Sequence, residues 1–354
     1  MIVDTPPPAG QALFAFLTTL DGSATQSARR AEARRHERDS ARFSSPDGSN
    51  LAARFNRFVI SQAPAGSQPG QPGQPVFEGV LPGQASQFLT QLLASGPGLP
   101  SQQGYVTGIR LQTDELQRHA GFVAKAQQAG DLAGVKRHAE HVYNLIAGSL
   151  DPKFGDLNGD GRSQNPGDGF GLLQNGTQAG YLRAAGDAAT AAKDAPDASD
   201  SVKAHSEHVL VCAQNMQEWS VEARDLALQL AQLTDVQAAA TPAARLSELS
   251  GWIQRGDDAN GDGEIAPVPG EGGGIVAYEH AQFMSGFGLF PFKASAAPGP
   301  AAGVRGLRGG GAPGGAFPSP LGFCGRLCPR TPAGGAAAPP DPLAREAFLV
   351  SCAA

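Results

Sequence analysis

One hexapeptide, D-x-N-G-D-G, occurs twice in this chain, at 156–161 and at 258–263. Asp, Asn and Gly compete with regular backbone pairing and favour turns, so no helix or strand runs through either copy. Elements must stop before each copy and restart after it. Both copies continue through Pro-Gly to an acid followed by glycine: DLNGDGRSQNPGDG over 156–169 and DANGDGEIAPVPGEG over 258–272. The sequence around them has a helical period, with segments at 114–129, 131–148, 177–194, 199–233, 242–255 and 274–286. Thr113 marks the first start, and Thr241 followed by Pro242 reads as an N-cap with proline in the first turn. Residues 113–290 are therefore expected to form a helical bundle carrying two acidic loops, at 156–168 and 258–271.

The flanking regions differ. Residues 1–112 read as a small, irregular β-rich domain, with a strand and turn expected at 11–24, strands at 52–60, 76–81 and 105–111 and a short helix near 85–94. An Arg-rich insert at 26–45 holds six arginines between Arg29 and Arg42, and within 29–42 no apolar residue larger than alanine, so that stretch is expected to bury no face. A Pro/Gly linker is expected at 61–75. Gly 47 and Pro 28 together make about a fifth of the 354 residues, and they concentrate at the end: 38 of the 64 residues in 291–354 are Gly, Ala or Pro. That tail is expected to be disordered, because it cannot bury enough apolar surface to offset its ordering entropy. The insert and the tail share a composition typical of an alternate reading frame in GC-rich DNA. The predicted fold class is α+β, mainly α.

The acidic loops have a chemistry to match their spacing. A hard divalent cation such as Ca²⁺ takes six to eight oxygens, and side chains at the first, third and fifth places of a tight loop converge on one centre. Those places hold Asp156, Asn158 and Asp160, then Asp258, Asn260 and Asp262. Gly161 and Gly263 stand sixth, where the turn needs positive φ. Arg162 and Glu264 stand seventh, where a backbone carbonyl would be the donor. The loops resemble those of EF-hand and dockerin-type calcium-binding proteins over about 14 residues in each copy. The resemblance implies Ca²⁺ at two sites. At the twelfth place, where the family carries its bidentate acid, stand Gly167 and Pro269; acids follow at Asp168 and Glu271, which are the candidate closing ligands. The 113–286 segment also resembles helical regions of uncharacterised bacterial proteins, which implies no activity.

Six of the seven histidines fall in the helical region: His119, His138, His141, His205, His208 and His280. HAEH and HSEH place two imidazoles three residues apart, on one helix face. Glu140 and Glu207, between them, fall on the expected solvent side. Two readings follow. The histidines form a second metal site holding a transition metal or haem, or they bond to carbonyls or to one another at the core edge. No C-x-x-C-H occurs, so covalent haem attachment has no motif here.

A net charge of −6 argues against a nucleic-acid binder, and no apolar run is long enough to span a membrane. No motif of nucleophilic or phosphate chemistry occurs, and Cys212 reads as a buried thiol. The reading is a non-enzymatic calcium-binding protein with a structural or interaction role and a protein partner. A metal- or haem-dependent redox protein is the alternative, and a surface adhesion protein a third reading. Extracellular calcium levels favour a place outside the cytoplasm, although 1–10 shows no signal-peptide pattern.

Overall fold

The computed structural model describes residues 8–27, 29–31, 39–45, 50–68, 73–101, 103–293 and 347–352. The fold is α+β and mainly α. Strands β1 (Gln11–Thr18), β2 (Thr25–Ser27), β5 (Arg57–Pro64), β6 (Gln74–Val80) and β7 (Phe290–Pro291) make an antiparallel sheet in the order β2-β1-β5-β6-β7. A second sheet, β3-β4-β8, joins β3 (Arg29–Ala31), β4 (Asp39–Ser44) and β8 (Ala347–Cys352). Leu17, Phe43, Phe58 and Ile60 form the buried centre of this region with Leu51 and Phe55, around the one-turn helix α1 (Leu51–Arg54).

Several expected boundaries move. Ser61 to Pro64 continue β5 and Gln74 begins β6, so the 61–75 linker contributes to both strands and residues 69–72 lie outside the described residues. In the Arg-rich insert, 28 and 32–38 lie outside them, while the backbones of Arg29 and Arg42 are paired in register between β3 and β4. Of the 291–354 tail, 294–346 and 353–354 lie outside, and Ala347–Cys352 pairs antiparallel with β4 instead of continuing without structure.

The helical region begins with α2 (Gly83–Leu93), whose first-turn amides at Gln84 and Ala85 donate to the Asp197 carboxylate at 2.7 and 3.1 Å. The strand expected at 105–111 is the start of α3 (Tyr105–Gln128), 24 residues long. Val106, Ile109, Gln112 and Thr113 recur at helical spacing on a buried face, and Gly108 lets the Tyr181 ring lie against the backbone, where a Cβ would collide. Thr113 thus sits inside a helix rather than starting one, and the boundary at 112 falls within α3.

After α3 come α4 (Leu132–Ala147), α5 (Gly180–Asp194) and α6 (Asp200–Ala231). Asp131 and Ser199 cap α4 and α6, accepting from Gly134 N and Val202 N. A 3₁₀ turn at Gln237–Ala239 leads into α7 (Ala240–Arg255), so Thr241 lies inside the helix and not at its cap. The last helix is α8 (Gly274–Phe283). Helix α6, 32 residues long, packs against α4, α5, α7 and α8, while α3 packs against α4 and α7. The core between them includes Leu116, Val135, Val142, Val209, Met216, Leu246 and Ile253. Cys212 lies in it, and burial pushes its thiol pKa up to about 12. Among the described residues no helix is long and apolar enough to cross a membrane.

Candidate metal centres

The six histidines do not form one site. They divide into two groups of three, His119 with His138 and His141, and His205 with His208 and His280. In each group one helix supplies an i, i+3 pair and a neighbouring helix supplies the third ring. The first pair is on α4 and its partner on α3; the second pair is on α6 and its partner on α8.

The rings converge through the same atom. His119 Nδ1 lies 3.1 Å from His138 Nδ1 and 3.0 Å from His141 Nδ1. His280 Nδ1 lies 2.8 Å from His205 Nδ1 and 3.1 Å from His208 Nδ1. A neutral imidazole has one N–H, and in each cluster one Nδ1 lies against two others, so N–H···N bonds alone cannot fully satisfy all three. A tetrahedral ion held at about 2.0–2.1 Å by each of three nitrogens would set them roughly 3.3 Å apart, a few tenths of an ångström wider than the 2.8–3.1 Å approaches here. The same spacing leaves no gap for a porphyrin between two facing rings.

Burial favours the neutral form of five of these rings. It lowers the His119 and His138 pKa values from the ordinary 6.5 to about 4, with His141 adding to both shifts. Burial, then the neighbouring His208 and His205, takes His280 to about 4 as well. His205 and His208 are lowered for the same first reason. Neutral imidazoles at neutral pH are the form that binds a divalent metal.

Each cluster is also closed by a phenylalanine three residues after the lone histidine. Phe122 lies 5.5 Å from the His119 ring and 4.9 Å from the His138 ring. Phe283 lies 5.5 Å from His280 and 5.3 Å from His205. The sequence signal was legible as HAGF and HAQF, the same spacing on α3 and α8.

The acidic residues of the two H-x-E-H pairs differ from expectation and from each other. Glu207 is on the surface, bonded to Lys193 at 3.1 Å. Glu140, expected toward solvent, is fully buried, because loop 156–169 folds back over α4 and covers it. Its Oε2 accepts from Leu157 N at 3.0 Å and Asn158 N at 3.1 Å, and its Oε1 accepts from Gln164 N at 2.9 Å. Helical periodicity alone could not show this, since the cover comes from outside the helix.

The two acidic loops share most of one hydrogen-bond scheme, the first adding a bond from Gly159 N to the Asp156 carboxylate at 2.7 Å where Gly261 N bonds the Asp258 carbonyl. Asp156 accepts from Asp160 N at 3.1 Å and Gly161 N at 2.8 Å; Asp258 accepts from Asp262 N at 3.1 Å and Gly263 N at 2.9 Å. Asn158 and Asn260 each accept from the residue two places on at 2.8 Å. Asp160 accepts from Arg162 N and Asp262 from Glu264 N, both at 2.9 Å. Gly161 and Gly263 have φ of 85° and 87°, the left-handed turn that the sixth place requires.

The candidate closing acids are engaged elsewhere in part. Asp168 accepts from Phe170 N at 3.0 Å and from the Tyr181 hydroxyl at 2.5 Å. Glu271 is buried, and its Oε2 accepts from Ala266 N at 3.0 Å. A buried asparagine anchors each loop to a histidine helix. Asn144 donates to Gly155 O and Gln164 O and accepts from Gly155 N. Asn215 donates to Val268 O and Gly272 O and accepts from Gly270 N. Neither asparagine was singled out by the sequence pattern.

No family model matches the chain, and comparison with curated proteins and with solved structures gives no match.

Proposed function

We infer that this protein binds two divalent transition-metal ions, one in each three-histidine cluster. The observation that carries the reading is that, in both clusters, two histidine Nδ1 atoms approach the Nδ1 of a third to 2.8–3.1 Å, with ligand atoms of all three within 4.8 Å of one another. Imidazole ligands suit Zn²⁺, Cu²⁺ and Ni²⁺, and three protein ligands leave one tetrahedral position open. Each ion would tie two helices together, α3 to α4 and α6 to α8. The role is structural, or one of holding and presenting metal. Metal analysis of the full chain after dialysis against Zn²⁺ tests it: about two equivalents are expected. His205→Ala should remove one equivalent and His36→Ala none. Unchanged metal content in His205→Ala would leave the histidines as packing groups.

A second reading is calcium at the two acidic loops, favoured by their matching hydrogen-bond schemes. In each loop the side-chain oxygens of the first, third and fifth residues are held in a turn of the same shape. Asp156, Asn158, Asp160, the Arg162 carbonyl and Asp168 would serve the first loop; Asp258, Asn260, Asp262, the Glu264 carbonyl and Glu271 would serve the second. Calorimetric titration with Ca²⁺ tests it against the variant pair Asp156→Ala and Asp258→Ala.

A further inference from the structure

One residue joins the first histidine cluster to the loop beside it. Gln164 stands ninth in the first acidic loop, and its Oε1 lies 2.8 Å from His141 Nε2. Its backbone N–H donates to Glu140 Oε1 at 2.9 Å, and its carbonyl accepts from Asn144 Nδ2 at 2.8 Å. Three side chains of α4, one of them a candidate ligand, therefore meet a single loop residue. The amide oxygen at His141 Nε2 is an acceptor, so the ring proton belongs on Nε2. Nδ1 then presents its lone pair to His119, which is the tautomer a metal needs.

The second cluster lacks this link. The ninth residue of its loop is Ala266, whose methyl group cannot bond a histidine and whose N–H goes to Glu271 in its own loop. The two centres thus share ligands and geometry but differ in their attachment to a loop.

We propose that Gln164 is a positioning residue that fixes the His141 tautomer and makes the first metal centre and the first acidic loop a single coupled unit, while the second centre binds independently of its loop. The proposal rests on the reading of the histidine clusters as metal centres. Coupling of this kind is reciprocal: what holds the loop favours the metal, and the metal must hold the loop by the same factor.

The test uses the full chain with the second centre silenced by His280→Ala, with His205→Ala as the alternate silencing variant should the first lose its helical circular dichroism. In that background, Gln164→Ala should weaken Zn²⁺ binding by about 10- to 100-fold, the usual range for losing a ligand's outer hydrogen-bond partner. Gln164→Glu, which keeps an acceptor at the same place, should restore most of it. The Co²⁺ visible spectrum should change in Gln164→Ala and return in Gln164→Glu. Zn²⁺ should also slow hydrogen exchange at the Leu157, Asn158 and Gln164 amides, and should cease to do so in Gln164→Ala. Unchanged Zn²⁺ affinity in Gln164→Ala, or loop amides indifferent to Zn²⁺ in the parent, overturns the coupling and leaves the metal reading standing. A wild-type chain that binds no Zn²⁺ at all overturns the metal reading itself.

Discussion

His205 and His280 approach to 2.8 Å between their Nδ1 atoms, from helices that are separated by α7 and the second acidic loop. One N–H···N bond can join these two neutral rings, but His208 Nδ1 lies 3.1 Å from the same His280 atom and has no second bond to make there, and burial depresses the His205 and His280 pKa values, so protonation would set like charges against each other. A cation between them removes the conflict.

The pH dependence follows from those shifts. His119, His138 and His280 titrate near pH 4 in the folded protein against an ordinary 6.5, so between those values the unfolded chain binds more protons. Stability should be full above about pH 6.5 and should fall as the pH drops toward 4. Urea midpoints measured across that range check it, and a flat profile between pH 6.5 and 4.5 would contradict the buried, neutral state of these rings. Bound Zn²⁺ should leave over the same interval as protons displace it.

Metal should stabilise the bundle. An ion binding only the folded state adds about 2.7 kcal/mol per site at a hundredfold excess over Kd. The Tm should rise with Zn²⁺, and His119→Ala and His280→Ala should each remove part of the rise, with the double variant removing all of it. Scanning calorimetry with and without chelator reads the effect.

Calcium should act separately. Asp156, Asp160, Asp258 and Asp262 repel their loop neighbours when no cation is bound. Added Ca²⁺ should raise the Tm further in Zn²⁺-loaded protein, and Mg²⁺ should substitute poorly because it prefers a smaller octahedral shell. Asp156→Ala with Asp258→Ala should abolish the increment. A melting curve indifferent to Ca²⁺ would identify both loops as turns.

Glu140→Ala should be among the most damaging single changes in the chain. It strips the acceptor from the backbone N–H groups of the half-buried Leu157, Asn158 and Gln164, at a cost of about 2–4 kcal/mol in all. Glu207→Ala, at the matching place in the second pair, should cost under about 1 kcal/mol, because its partner Lys193 is a surface ion pair. Denaturant unfolding of the two variants compares them directly; equal midpoints would refute the asymmetry.

Local pattern was enough to place the helices through most of 114–286, the two acidic loops that break them, and each H-x-E-H pair on one helix face. These are local matters: backbone propensity, turn chemistry and a spacing of three residues act within a few residues of chain. It did not determine that 105–111 is helical. A short apolar run fits a strand or a buried helix equally well, and the Tyr181 ring against Gly108 is a contact across the fold. Nor could it divide six histidines into two clusters of three, since that depends on which faces of α3, α4, α6 and α8 pack together. Glu140 and Glu207 occupy the same place in nearly the same tetrapeptide, yet one is sealed beneath a loop and the other bonds a surface lysine. Long-range packing separates the two, because burial is set by what the rest of the chain lays over a residue.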